Sequence, residues 1–269
     1  MSHNCGRVAA AILGATLALA GCSGGGAGDP AQQTEPTVST PADEIPAPSP
    51  MSDDFSTAAR FTKLSHQNRH KEANALVVPE SPAARYLAHQ TLINKAQSIA
   101  GYDQSEDEEP SVKPDPATGS IKFKFAKTER EPALSYIWRD FTFEQGKITG
   151  WTGKSGPVTD VLWTRTTTDS KLSTKAKLES AYRSNSGNLY IVVELSAGKS
   201  RGFGEAEYAA HGGYRQTVME QNASDLSKGE KTLAYFTFKN AKFGGTLHIP
   251  FYDQTGSSYG DWALKLKIK

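Results

Sequence analysis

Apolar residues along this chain fall in blocks whose period changes from region to region. A nearly unbroken apolar run over residues 8–20 comes first, a polar stretch follows to about residue 54, and apolar density rises again from Phe55. Residues 55–78 are compatible with either a lead-in strand or a helix. The next block is clearer: Ser81 offers an N-cap, Pro82 suits the first helical position and Gly101 supplies a stop. Between them Ala88, Leu92, Ala96 and Ile99 share one face, which predicts an amphipathic helix of about 18 residues. Downstream the period drops to two. Ile121, Phe123 and Phe125 alternate with Lys122 and Lys124, the pattern of a strand buried on one side.

Tyr136 and Trp138 have one parity and Phe141 and Phe143 the other, so a bulge near Arg139-Asp140 is expected to bring all four to one face. Glu144-Gln145-Gly146-Lys147 reads as a hairpin turn before Ile148, Gly150 and Trp151, and Gly156-Pro157 breaks the chain before Val161, Leu162 and Trp163. Residues 105–119, with four adjacent carboxylates and several prolines, read as an exposed loop. The carboxylates lack the alternating oxygen ligands and the glycine turn of a calcium loop. Tyr136, Trp138, Trp151 and Trp163 are expected in the core rather than along a carbohydrate groove.

A polar run over residues 164–173 marks a domain boundary. Beyond it, residues 176–183 lead into an Asn185-Ser186-Gly187-Asn188 turn, and residues 189–195 are apolar at nearly every position, as in a central strand. Residues 196–213 hold loops with an irregular edge segment around Tyr208. Turns at residues 226–230 and at Gly244-Gly245 precede further strands. In the last strand Trp262, Leu264, Leu266 and Ile268 face one way and Lys265, Lys267 and Lys269 the other. Many short strands separated by glycine- and asparagine-rich turns indicate a β-sandwich. The fold class expected is mainly β with one clear helix, an α+β arrangement. A helix-on-antiparallel-sheet module over residues 55–168 is followed by the sandwich over 169–269.

The first apolar run changes the picture from fold to address. It follows the single early cation Arg7, is too short to span a bilayer, and ends in Leu19-Ala20-Gly21-Cys22. This reads as a lipobox and resembles the signal peptide of bacterial lipoproteins. The resemblance implies cleavage before Cys22, with Leu19, Ala20 and Gly21 recognised by the peptidase, and lipid attachment to the Cys22 thiol. Residues 1–21 are then signal peptide. Residues 22–54, opening on Ser23-Gly24-Gly25-Gly26 and rich in Pro, Ser, Thr, Gln and Ala, form a disordered tether with an average reach of about 30 Å. Cys5 leaves with the signal peptide, so no internal disulfide is expected. The formal charge of +1 gives no general pull toward nucleic acid.

Residues 178–183, the following turn, residues 189–195 and the Leu226-Ser227-Lys228-Gly229-Glu230 turn before Phe236 and Phe238 resemble the immunoglobulin-like domains of secreted and lipid-anchored actinobacterial proteins of unknown function. Residues 141–148 are similar to a strand-turn-strand of lipoproteins of the same kind. The resemblance implies a fold and an address at the extracytoplasmic face of the cell membrane, without catalytic residues.

Motifs with chemical promise do not survive their context. Gly256-Ser257-Ser258-Tyr259-Gly260 has the spacing of a hydrolase nucleophile, but a strand follows it where a helix is required, and no histidine lies beyond His248. Gly153-Lys154-Ser155 ends like a phosphate-binding loop, yet Ile148 stands where its first glycine belongs. His66 and His70 stand four apart among several cations, which favours solvated histidines over a metal pair. His211 and His248 look like surface residues. No catalysis, cofactor or metal is expected. The expected role is binding, with the membrane reached through Cys22 and an envelope protein, cell-wall polymer or small ligand as partner. The alternative is an accessory protein for uptake or for a cell-wall enzyme, holding metal or substrate through His66, His70 and the tryptophans.

Overall fold

The computed structural model describes residues 52–101, 110–127, 133–163, 167–210, 215–223, 225–254 and 262–268. Ser52 caps the first helix, α1 (Asp53–His66), by accepting from Phe55 N at 3.3 Å; Asp53 and Asp54 in its first turn and Lys63 in its last complement the helix dipole. The short α2 (His70–Asn74) follows, so residues 55–78 resolve as helices rather than a strand. Leu76 and Val78 then exchange backbone hydrogen bonds with Ile148 at 2.9 and 3.0 Å. Ser81 caps α3 (Pro82–Ile99) through Ala84 N, at the ends the sequence indicates.

Five antiparallel strands come next in simple meander order: β1 (Ser111–Asp115), β2 (Ser120–Phe125), β3 (Leu134–Glu144), β4 (Lys147–Gly153) and β5 (Gly156–Pro157). β1 corrects the expectation of a loop through residue 119. Its Pro114 is tolerated because β1 is an edge strand and one row of its backbone groups needs no partner. The bulge lies where the parity break placed it, with the β3–β4 register shifting between Arg139 and Phe143 and Asp140 at φ 52°. Tyr136, Trp138, Phe141 and Phe143 consequently join one cluster with Phe61, Tyr86, Ile121, Phe123 and Trp151. Gln145 and Gly146, at φ 50° and 73°, make the two-residue turn between β3 and β4.

After one helical turn, α4 (Val158–Val161), the chain enters two further antiparallel sheets. The first contains β6 (Leu162–Trp163), β7 (Thr168–Lys171), β8 (Thr174–Arg183), β9 (Leu189–Ala197), β13 (Glu220–Gln221) and β14 (Lys231–Phe238). The second contains β10 (Arg201–Phe203), β11 (Glu207–Ala209), β12 (Arg215–Thr217), β15 (Gly245–Asp253) and β16 (Trp262–Ile268). β9 lies between β8 and β14, the central position its apolar sequence implies. Residues of both sheets, among them Leu178, Ile191, Leu195, Phe236, Tyr208, Ile249 and Leu266, share one core. Part of the polar run at residues 164–173 is itself strand: β7 pairs with β8, and β6 before it also pairs with β8.

Arg201 joins the two sheets. It is 3 % exposed, and its guanidinium donates to Thr174 Oγ1, Leu172 O and Asp253 Oδ2 at 3.0–3.2 Å while lying over the rings of Phe251 and Trp262.

Residues 51–126 and 133–269 fall in one compact unit, and α3 is where its parts meet. Ala83, Tyr86 and Leu87 pack with the meander cluster, whereas Ile93 and Ala96 pack on Val192 and Tyr235 of β9 and β14. The single stripe expected from Ala88 to Ile99 is therefore corrected. Ala88 is exposed and Ile99 is 53 % exposed, because a helix wedged between two layers buries two faces and turns a different set of residues to solvent.

Candidate functional site

The last turn of α1 carries His66 onto an aromatic floor. Its ring centroid lies 4.4 Å from Phe123, 5.1 Å from Trp138 and 5.5 Å from Phe125, the last edge-on. The expectation of a solvated His66 is thus corrected: its imidazole is held neutral by burial, with the charge of His70 adding to the effect, and its pKa falls to about 3. The cause is the α1 amphipathic face, which turns Phe61, Leu64 and Ser65 inward and takes His66 with them.

His70, at the start of α2, meets Thr91 of α3, with Nδ1 and Oγ1 3.0 Å apart. The Thr91 hydroxyl donates to Leu87 O at 2.8 Å, so Nδ1 carries the hydrogen and His70 Nε2 keeps a free lone pair. Burial lowers the His70 pKa, and a hydrogen bond to the Ser65 backbone opposes it. His66 Nε2, Gln67 Oε1 and His70 Nε2 are all shielded from solvent without a hydrogen-bond partner. Among the described residues no group of three or more His, Cys, Asp or Glu side chains is arranged to hold a metal ion.

A third histidine is buried in a setting that no local pattern announces. His89 on α3 is 1 % exposed and its Nδ1 lies 2.7 Å from Oγ of Ser180, itself 2 % exposed. Ser180 reaches the helix because the β8–β9 register shifts between Leu178 and Ser180. Before the shift Ala176 and Leu178 face the shared core; after it Ala181 does, and Ser180 and Tyr182 turn to α3. Burial lowers the His89 pKa to about 3 and raises those of Tyr86 and Tyr182, which meet edge to face at 5.2 Å. The serine–histidine pair is sealed, its Nε2 has no partner, and it acts as a hydrogen-bonded clip between helix and sheet.

Open chemistry lies on the other side of the meander. The β1–β2 hairpin carries a depression of about 570 Å³ lined by Ser111, Lys113, Asp115, Lys122 and Lys124, together with two prolines. Lys113 stands directly opposite Lys122, and Lys124 opposite Ser111. Lys122 reaches Asp115 at 3.7 Å; Lys113 and Lys124 have no ion pair among the described residues. The same alternation that buries Ile121 and Phe123 against the helices turns Lys122 and Lys124 outward. That alternation was visible in the sequence, but Lys113 joined the lysines only once the proline-rich segment proved to be a strand.

Trp138 and Trp151 are buried, 4.5 Å apart, and belong to the core; the Trp163 side chain lies outside the described residues. Gly153 and Gly156 pair across Lys154-Ser155, a hairpin turn. His248 is partly buried on β15, and burial together with Arg215 and Lys265 lowers its pKa. Leu19, Ala20, Gly21, Cys22, the four carboxylates at 106–109, His211 and the Gly256–Gly260 motif lie outside the described residues. No family model, curated protein or solved structure matches the chain. What the described residues define is a mainly β protein of antiparallel sheets with few helices.

Proposed function

We propose that this protein is a lipid-anchored binding protein of a bacterial cell envelope, held at the extracytoplasmic face of the membrane through Cys22, and that it works without catalysis. The observation that carries the reading is Leu19-Ala20-Gly21-Cys22, closing an apolar run and opening a polar, glycine- and proline-rich stretch. In this reading the two sheets around the Leu178, Ile191 and Phe236 core are an immunoglobulin-like sandwich, and the helices with the meander are a second layer presented to a partner in the envelope. The sealing of Ser180 and His89 supports binding over hydrolysis, since a substrate carbonyl has no path to a serine that is 2 % exposed.

The experiment is metabolic labelling with a palmitate analogue, followed by membrane fractionation. Wild type incorporates label and sediments with membranes; Cys22→Ala does neither. Label retained by Cys22→Ala overturns the anchor. A second reading, metal or substrate capture at His66 and His70, is favoured by their two shielded and unpartnered Nε2 atoms. Calorimetric titration with zinc at micromolar concentration, showing no heat, removes its metal form.

A further inference from the structure

We propose that the depression on the β1–β2 hairpin binds a phosphate-bearing polymer, a chain of phosphodiester- or phosphoanhydride-linked units gripped by Lys113, Lys122 and Lys124. The proposal deepens the envelope-binder reading and rests on it for where the polymer is met. The first argument is charge. Three ammonium groups face one carboxylate across the hollow, and the carboxylate, Asp115, is 3.7 Å from Lys122. Lys113 and Lys122 are direct cross-strand neighbours. Like charges so placed destabilise a hairpin, a strain that a bound anion relieves.

The second argument is position. Lysine and proline on an exposed edge strand are ordinary protection against edge-to-edge pairing, which accounts for Lys113 and Pro114 on β1. It does not account for Lys122 and Lys124, because β2 is paired on both sides, with β1 and with β3. The third argument is shape and spacing. Residues two apart on a strand lie about 6.6 Å from each other, and directly opposed residues about 5 Å, so the three amines spread over more than one phosphate. A hollow admits a chain, whereas a flat lipid surface is better met by a projecting face. Lysines are point charges without the planar fork of arginine, so they suit repeated phosphates of variable orientation. Ser111 adds a hydroxyl at the rim.

The test uses the full chain with Cys22→Ala, which separates this site from the lipid anchor, and inorganic polyphosphate as probe at several salt concentrations. Three neutralised phosphates on a single-stranded polyanion give a slope of log affinity on log salt near −2, from about 0.7 per phosphate. Lys113→Gln combined with Lys124→Gln is expected to weaken binding tenfold or more at low salt and to bring the slope near −0.7, with the thermal midpoint unchanged or raised because the opposed pair is gone. Polyphosphate binding that is absent at low salt, or unchanged in the double variant, overturns the proposal. So does equal or tighter, lysine-dependent binding to vesicles of one part phosphatidylglycerol to three parts phosphatidylcholine, which would assign the lysines to a membrane surface. A failed palmitate labelling of wild type would instead sink the envelope reading and leave polyphosphate binding standing.

Discussion

The core shared by the sheets of β9 and β15 and the core beneath α1 and α3 solve burial differently. The two-sheet half satisfies its most deeply buried charge and its largest buried hydroxyl: Arg201 has three hydrogen-bonded partners and two rings beneath it, and the Tyr208 hydroxyl donates to Lys242 O while accepting from Gly245 N; Arg183 Nε, Gln216 Oε1 and Thr237 Oγ1 are its shielded atoms without a partner. The helical half keeps polar atoms that nothing satisfies, namely His66 Nε2, Gln67 Oε1, His70 Nε2, His89 Nε2 and Trp138 Nε1. A shielded polar atom without a partner costs about 1–3 kcal/mol. The helical half therefore holds its place by aromatic packing against that penalty. Sensitivity to acid and to loss of a ring should be lodged there.

The largest effect tests the packing. Trp138 meets Phe61, His66, Tyr86, Phe123 and Trp151 at centroid separations of 4.5–6.2 Å. Trp138→Ala is expected to cost about 3–5 kcal/mol in guanidinium unfolding followed by far-ultraviolet dichroism and fluorescence. Because α3 packs on the meander cluster through Tyr86 and, through Ile93, on the face of β9 and β14 that is turned away from the two-sheet core, both probes should move together in one transition. Two separate transitions, only one of them shifted by Trp138→Ala, would break the comparison by making each core stand alone.

Acid comes next. The His89 pKa is about 3 in the folded chain against an ordinary 6.5, so between those values the unfolded state binds a proton that the folded state refuses. Its neutral burial is therefore fully compatible with folding above about pH 6.5, and stability falls as pH drops toward 3, by at most about 1.4 kcal/mol per pH unit. His66, also held neutral by burial with a pKa of about 3, contributes in the same direction. His89→Asn keeps a polar group for Ser180 and does not titrate. Urea midpoints measured at pH 6 and pH 4 should lie closer together in His89→Asn than in wild type, and equal spacing would show that the clip does not carry the acid response.

What the sequence revealed and what it hid follow the same division. Alternation is a local signal, so Ile121–Phe125, the bulge at Asp140, the Gln145-Gly146 turn and the central β9 were all legible. A helix packed on one side is legible too, but α3 is packed on two sides, and its burial at His89, Ile93 and Ala96 depends on layers supplied by residues a hundred positions away. The same distance hid the His89–Ser180 clip, which needs a bulge in β8 that no parity break announces. α1 was ambiguous because most of its residues are polar, Thr62 and Ser65 on its buried face among them, and the prolines around β1 disguised a strand as a loop. The lysine hollow was hidden with it. Lys122 and Lys124 were plain in the sequence, but the opposition of Lys113 to Lys122 is a fact of register.

The smallest effect tests whether a locally legible feature behaves locally. Gly146 sits at φ 73° in the β3–β4 turn, and a Cβ there would meet nothing nearer than Asp54 Oδ1 at 3.9 Å. Gly146→Ala thus adds no clash, and its cost is the left-handed backbone alone, about 1 kcal/mol, whereas Gly146→Asn, which tolerates that conformation, should cost less. Gly150 offers the contrast: its Cβ would lie 3.3 Å from Val158 Cγ1, so Gly150→Ala acts through packing beneath α3. If Gly146→Ala and Gly146→Asn destabilise equally in urea, the turn is held by something other than backbone conformation. If they differ as expected, the β3–β4 turn answers to local rules while the helix interface answers to packing across the chain.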